Sequence, residues 1–571
     1  MPRTSNNLSQ YNKALRAFIF PAAARRTLVR THSTASRGST LPMALPFVRL
    51  SSLSPRPSRS ARFACTLSAV LLACGAAQLR AQALPSAEAR AARAVDEARK
   101  EGPAALRGLL YRMPKGADLH MHLSGAVYAE TFIREAGEDG ICINTAELRM
   151  DPQHHAPDCP TGEVPANAAP VNQHLYDELI DAFSMRTFVP TTGDSGHDHF
   201  FDTFDRFGDD KRFTGEWIDE VATRAAAQNE QYLELMQTPD FKAATAAGFR
   251  IGWSDDLAGI REKLLADPGF LEDKSKDQAE FTEALRQREA IEHCGQPNAA
   301  AACRVTVRFI YQVLRGFPLQ QVFAQTLLAF EVASADPDVV GLNFVMPEDG
   351  YLSMHEYALE MHMLDYLHGV YPKVHIALHA GELAPGMVPP DGLTFHIREA
   401  VEQGHAERIG HGVDLMYEDR PWELMKEMAD RHVMVEINLS SNDVILNVKG
   451  DEHPFMLYRK MGVPVALSTD DEGVSRIDLT HEYVRAADTY PLSYRDLKQM
   501  ARTSIEHSFL HGASLWERVT PEKLETVVAA CRGQLGAAEP SGACATLVHA
   551  SEKARQEWDL ERRFHVFEAS F

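Results

Sequence analysis

Residues 116–125 read GADLHMHLSG, with two histidines two apart at its centre. Side chains two apart on a strand leave the same face. His120 and His122 would therefore project side by side as a chelating pair. The chain has 24 histidines, so an H-x-H can arise by chance and the pair needs company. Three other apolar runs end in similar side chains: LHAGE offers His379 and Glu382, RIGHG offers His411, and LSTDD offers Asp470 and Asp471. Read singly, each has a plainer use, His411 as a hydrogen-bonded core histidine and the two aspartates as a cap for the next helix. Together, three imidazoles and one carboxylate suit a borderline divalent ion, most simply Zn²⁺, with one position left for water. Such an ion lowers the pKa of water from 15.7 to roughly 7. The remaining Glu382, His411 and Asp471 are of the kinds that move protons.

Elements must bring these groups together. Eight short apolar runs follow residue 116: 117–123, 231–237, 304–310, 339–345, 374–379, 408–412, 432–437 and 464–468. Helix-length segments separate them, the pattern of β-α units around a parallel sheet. Eight is the number that closes a (β/α)₈ TIM barrel, an α/β fold whose chemistry sits at the C-terminal strand ends. Runs one, five, six and eight carry the groups named above at those ends. The gap after the first run is too long for one crossover helix, and its Pro- and Ala-rich DPQHHAPDCPTGEVPANAAP reads as an inserted loop, about residues 138–172. The domain reading is a leader (1–83), a helical lead-in (84–115), the barrel (116–515) and a C-terminal helical extension (516–571). Residues 492–510 already have helical period.

Charge is uneven. Residues 1–83 hold 12 Lys and Arg and no Asp or Glu, so the rest carries −33 of a chain whose net charge is −21. An acidic body of this kind argues against a nucleic-acid partner or attraction to anionic membranes. Within the leader, RSARFACTLSAVLLACGAAQLRAQA (59–83) has the layout of a secretory signal peptide cleaved after Ala83, with an apolar stretch too short to span a bilayer. Leu71-Leu72-Ala73-Cys74 also resembles a bacterial lipobox, which leaves a lipid anchor on Cys74 as an alternative. Met43 offers a later start than Met1. Six cysteines fall in the body as neighbours, Cys142 with Cys159, Cys294 with Cys303 and Cys531 with Cys544. This suits three disulfides in an oxidising compartment, so the expectation is an exported protein, periplasmic or secreted.

In order, MPKGADLHMHLSGA (113–126), LHAGE (378–382), RIGHGVDL (408–415) and LSTDDEGV (467–474) resemble the adenosine deaminase family of metal-dependent amidohydrolases, over roughly residues 105–515. The leader and cysteine pairs resemble its secreted, growth-factor-related branch. The resemblance implies that His120, His122, His379 and Asp470 bind one zinc per chain. It implies that Glu382 protonates the purine nitrogen beside the amine-bearing carbon, that His411 and Asp470 orient the water and help deprotonate it, and that Asp471 hydrogen-bonds the imidazole part of the purine. The implied reaction turns adenosine or 2′-deoxyadenosine into its inosine form with release of ammonia. Two positions depart from the family pattern. Ser124 stands where many members have an Asp that meets the ribose 5′-hydroxyl, and Met346-Pro347 where a Gly approaches the purine. Adenine, a modified adenosine or a 5′-substituted adenosine are therefore alternative substrates, and an inactive secreted binding or signalling protein is the alternative of a different class. The expected partner is a small purine nucleoside; no cluster of Lys or Arg in the motifs awaits a phosphate. No transmembrane segment is expected, and a homodimer is compatible with this reading.

Overall fold

The computed structural model describes residues 86–208, 210–517 and 526–571, so the leader, with Cys65, Cys74 and the cleavage site at Ala83, lies outside the described residues. Eight parallel strands form one sheet: β1 (Gly116–His122), β2 (Glu230–Gln237), β3 (Thr306–Leu314), β4 (Val339–Val345), β5 (His375–Ala380), β6 (Arg408–His411), β7 (Met434–Ile437) and β8 (Val465–Leu467), each beside the next. The sheet closes on itself where Met121 bridges Asp470, with the Asp470 N–H donating to the His120 carbonyl at 2.9 Å and the His122 N–H to the Asp470 carbonyl at 3.1 Å. This is the (β/α)₈ barrel expected from the eight apolar runs. β3 reaches four residues further than its run, to Leu314, because Gln312 and its neighbours keep their ladder with β4.

Strands such as VVGLNFV are apolar on both faces because the barrel interior takes one face and the helical ring the other. Leu319–Ala333, between β3 and β4, is buried on nearly every side, as its all-round apolar sequence requires. Tyr494–Glu506, after β8, starts with a capping box between Ser493 and Asp496 and buries Leu497, Met500, Ala501 and Ile505. Its Ser504 hydroxyl accepts from the Ala117 N–H at 2.9 Å, which ties it to the start of β1.

Two segments differ from their sequence reading. The insertion is a three-stranded antiparallel sheet, with Ile141–Asn144 between Arg149–His155 and Glu163–Pro165. Asn144 Oδ1 accepts from the N–H groups of Ala146 and Glu147, both at 3.0 Å, and this reverses the chain. The Cys142–Cys159 disulfide then ties the central strand to the following loop. The extension after residue 515 is also not all helix. Trp516–Glu517 pairs with Thr526–Val527 before the helices Gly542–Ala550 and Glu552–Ala569. The last helix covers the N-terminal end of the barrel: Gln231 at the start of β2 donates to the Gln556 carbonyl at 2.7 Å, and Gln556 donates to Thr306 at the start of β3 at 2.7 Å. The opposite end is left for the site. No described helix is long and apolar enough to cross a membrane.

Candidate active site

Four strand ends meet at the C-terminal mouth. One nitrogen from each of His120, His122 and His379 and one oxygen of Asp470 lie within 4.8 Å of one another. The His122 and His379 Nε2 atoms are 3.2 Å apart, and Asp470 Oδ1 is 3.5 Å from His120 Nε2 and 3.3 Å from His122 Nε2. The other ring nitrogens explain this closeness. His120 Nδ1 donates to Glu436 at 2.6 Å, His122 Nδ1 to the Gln312 side-chain oxygen, and His379 Nδ1 to Asn343 Oδ1 at 2.9 Å. Asn343 cannot be turned around, since the same oxygen accepts the His379 backbone N–H at 3.0 Å. With each Nδ1 spent as a donor, three Nε2 lone pairs face one carboxylate with no proton among them.

That arrangement calls for positive charge. His120 Nε2 is buried without a hydrogen-bond partner among the described residues. Burial pushes His120 down, yet the adjacent Asp470 and Glu436 carboxylates outweigh this and raise it to about 10. A proton or a metal ion meets the demand, and three imidazoles with one carboxylate match a divalent transition ion. Asp470 is fit to be an anionic ligand: burial alone would raise it, but the adjacent His120 and His122 rings hold it well below the usual carboxylate range.

Glu382, His411 and Asp471 border this cluster. His411 Nε2 lies 3.9 Å from Asp470 Oδ2, and its Nδ1 lies 3.5 Å from Glu382 Oε1. Burial, then Asp470 and Glu348, push the Glu382 carboxyl well above its ordinary range. Burial and the adjacent Asp470 do the same to Asp471. Asp471 packs so tightly on the turn after β1 that a Cβ on Gly125 would sit 1.5 Å from its Oδ1. A Cβ on Gly410 would come within 2.5 Å of His120. The glycines of LSGA and RIGHG thus make room for functional side chains.

Ser124 is half-buried in the short helix Leu123–Ala126 after β1. Met346 has φ +99°, a backbone state that favours glycine. At the end of β4 a non-glycine residue thus holds a glycine-like backbone conformation. Asp118, the carboxylate just before the H-x-H, faces away from ligation. It accepts the Thr469 N–H at 3.0 Å and hydroxyl at 2.7 Å and so pins β1 to the segment after β8.

Several contributors escaped the sequence reading. Glu348 accepts the N–H groups of Gly381 and Glu382 at 3.0 and 2.7 Å and so holds the turn that presents Glu382. Glu436 takes His120 on one oxygen and Arg408 on the other at 2.6 Å. A carboxylate inside the apolar run HVMVEI was the available signal for Glu436. Gln312 and Asn343 had no comparable mark.

Comparison with known proteins follows the same lines. A family model described as adenosine deaminase matches residues 217–517, more than half of the chain. An adenosine deaminase of Clostridium perfringens is 34% identical over 138 residues, 24% of this chain and 37% of that protein. One from Escherichia coli is 36% identical over 137 residues, 24% and 38% of the two chains. The chain thus spans well under half the length of these curated relatives. Among solved structures, an Arabidopsis ADAL protein complexed with IMP is 22% identical, covering 70% of this chain and 93% of that one, at a TM-score of 0.45. An amidohydrolase from Burkholderia ambifaria with bound Zn is 18% identical, covering 72% and 89%, at 0.47.

Proposed function

Because this chain belongs to the adenosine deaminase family, we propose that it hydrolyses the exocyclic C–N bond of an adenine nucleoside, converting adenosine or 2′-deoxyadenosine to the inosine form with release of ammonia. The observation that carries this reading is the meeting of His120, His122, His379 and Asp470 beside the buried Glu382 carboxyl.

His120, His122, His379 and Asp470 would hold one divalent ion, with Zn²⁺ the best match to the donor set. When bound, it supplies Lewis-acid activation of water at neutral pH. The chain's own groups do the rest. Asp470, held ionised, turns Oδ1 toward His120 and His122 and Oδ2 toward His411, 3.9 Å from its Nε2, and would take the water's proton. Glu382 delivers a proton to the ring nitrogen next to the amine-bearing carbon, so that this carbon accepts the oxygen and becomes tetrahedral. The amine then takes the proton held by Asp470 and leaves as ammonia, while the new hydroxyl returns its proton to Glu382 and the ring is restored with a carbonyl. Asp471 anchors the imidazole part of the purine from beside Gly125. Ser124 offers the 5′-hydroxyl a neutral partner, a hydrogen bond worth about 0.5–1.5 kcal/mol net.

The three disulfides support maturation in an oxidising compartment, so the proposed enzyme is an exported one. The test is ammonia release by the metal-loaded protein from adenosine, 2′-deoxyadenosine, adenine and 5′-deoxyadenosine. Turnover of adenosine, with 5′-deoxyadenosine retained as a substrate, is expected. No ammonia from any of the four overturns the proposal.

A further inference from the structure

We propose that Asn442 and His453 are positioning residues that fix the proton of His411 on Nε2, so that His411 is a hydrogen-bond donor toward the reacting water and not its base. The inference rests on the reaction proposed above, and it arises from a chain of four hydrogen-bonding groups behind the site.

That chain starts at the helix Phe455–Met461, whose first N–H groups have no partner within the helix. Pro454 has no N–H, so the Phe455 N–H is the first to need an acceptor, and it donates to His453 Nδ1 at 3.1 Å. A backbone N–H can only donate, which requires a lone pair on that Nδ1. His453 is buried, and burial together with Arg485 pushes it down to about 3, so the ring is neutral and its one proton is on Nε2. Nε2 donates to Asn442 Oδ1 at 3.0 Å. The orientation of the Asn442 amide is thereby set, with Nδ2 pointing to His411 Nδ1 at 2.9 Å.

An amide nitrogen also only donates, so His411 Nδ1 accepts and the neutral ring carries its proton on Nε2. That Nε2 is buried, has no hydrogen-bond partner among the described residues, and lies 3.9 Å from Asp470 Oδ2 at the border of the four converging ligands. Two other groups reach Nδ1, Glu382 Oε1 and the Asn438 amide, but both stand at 3.5 Å, further than Asn442. With Nε2 already protonated, His411 cannot take a proton on the side facing the site. Of the two groups that the family resemblance gave to deprotonating water, only Asp470 is left to accept.

Histidine-¹⁵N-labelled, metal-loaded full-length protein tests this, since long-range ¹H–¹⁵N correlations separate an Nε2–H ring from an Nδ1–H ring. The His411 signal is the one lost in His411→Gln. Nε2–H is expected in the wild type, and Nδ1–H there overturns the proposal whatever the variants do. Asn442→Asp places an acceptor-only group beside Nδ1. It should move the proton to Nδ1 and lower kcat about 10–100-fold, with metal content unchanged. His453→Gln, whose amide supplies the same acceptor and donor, should keep kcat within about threefold of wild type, whereas His453→Leu should not. Unchanged kcat in Asn442→Asp also overturns the proposal. If the wild type releases no ammonia from any adenine compound, the proposed function fails, while the spectrum still decides the tautomer.

Discussion

At the scale of single residues, position relative to the cluster separates ligands from proton carriers. Glu382 borders the ligand set through His411 and Asp470, and its backbone is held by Glu348. Glu382→Gln should therefore keep its metal and lose activity about 10²–10⁴-fold, because an amide of the same shape cannot deliver a proton. His379→Ala should lose the metal as well, since Asn343 orients that ring toward the cluster. Metal content and kcat measured on both variants check the assignment. Activity of Glu382→Gln within a few-fold of wild type would give the role to another group.

At the scale of elements, the fold holds segments together that the barrel itself does not need. The bridges Cys142–Cys159, Cys294–Cys303 and Cys531–Cys544 span 17, 9 and 13 residues, all outside the eight strands. Loop-closure entropy gives each about 2.5–3 kcal/mol. Reduction should loosen the insertion sheet and the tail while metal stays bound, a sequence that hydrogen exchange and metal release measured in parallel would show. Metal lost before exchange rises in residues 141–165 would contradict it. The helix Pro268–Ile291 adds a pH-dependent contribution through Asp277, whose carboxyl burial pushes up to about 8 despite the Tyr311 hydroxyl at 2.8 Å. An unfolded Asp titrates near ~3.9. Between about pH 4 and 8 the folded chain thus keeps a proton the unfolded chain has released, and stability falls as pH rises through this window. Asp277→Asn keeps an acceptor for Tyr311 and removes the effect. Its Tm should exceed that of wild type by an amount that grows from pH 4 to 8, and a pH-independent difference would reject this account.

At the scale of the whole molecule, compartment joins the leader to the cysteines. Protein taken from its native compartment should begin near Leu84, or at Cys74 if the lipobox is read, and should be lighter by two hydrogens for each of three bridges. Intact mass measures both. Six free thiols on a chain that still carries its leader would defeat the export reading and leave the deaminase reading untouched. The acidic body disfavours a nucleic-acid partner, because its field repels a polyanion.

By itself the sequence determined the barrel, the disulfide pairs and which side chains gather at its mouth. Apolar runs of strand length and the two-residue period of H-x-H are local properties, and the fold rule that places chemistry at strand ends does not depend on tertiary detail. Tertiary structure alone decided how those side chains are held. Gln312, Asn343 and Glu436 lie on three different strands, and only sheet assembly brings each to a ring nitrogen of a histidine on another strand, with barrel closure needed for Glu436 on β7 to reach His120 on β1. The same holds for Asp118, which stands just before the H-x-H and fastens Thr469, 351 residues away in sequence. A hydrogen bond needs its partner within about 3 Å, and separation along the chain says nothing about distance across a closed sheet. For the same reason the proton on His411 was invisible until Phe455, His453 and Asn442 were seen in line behind it.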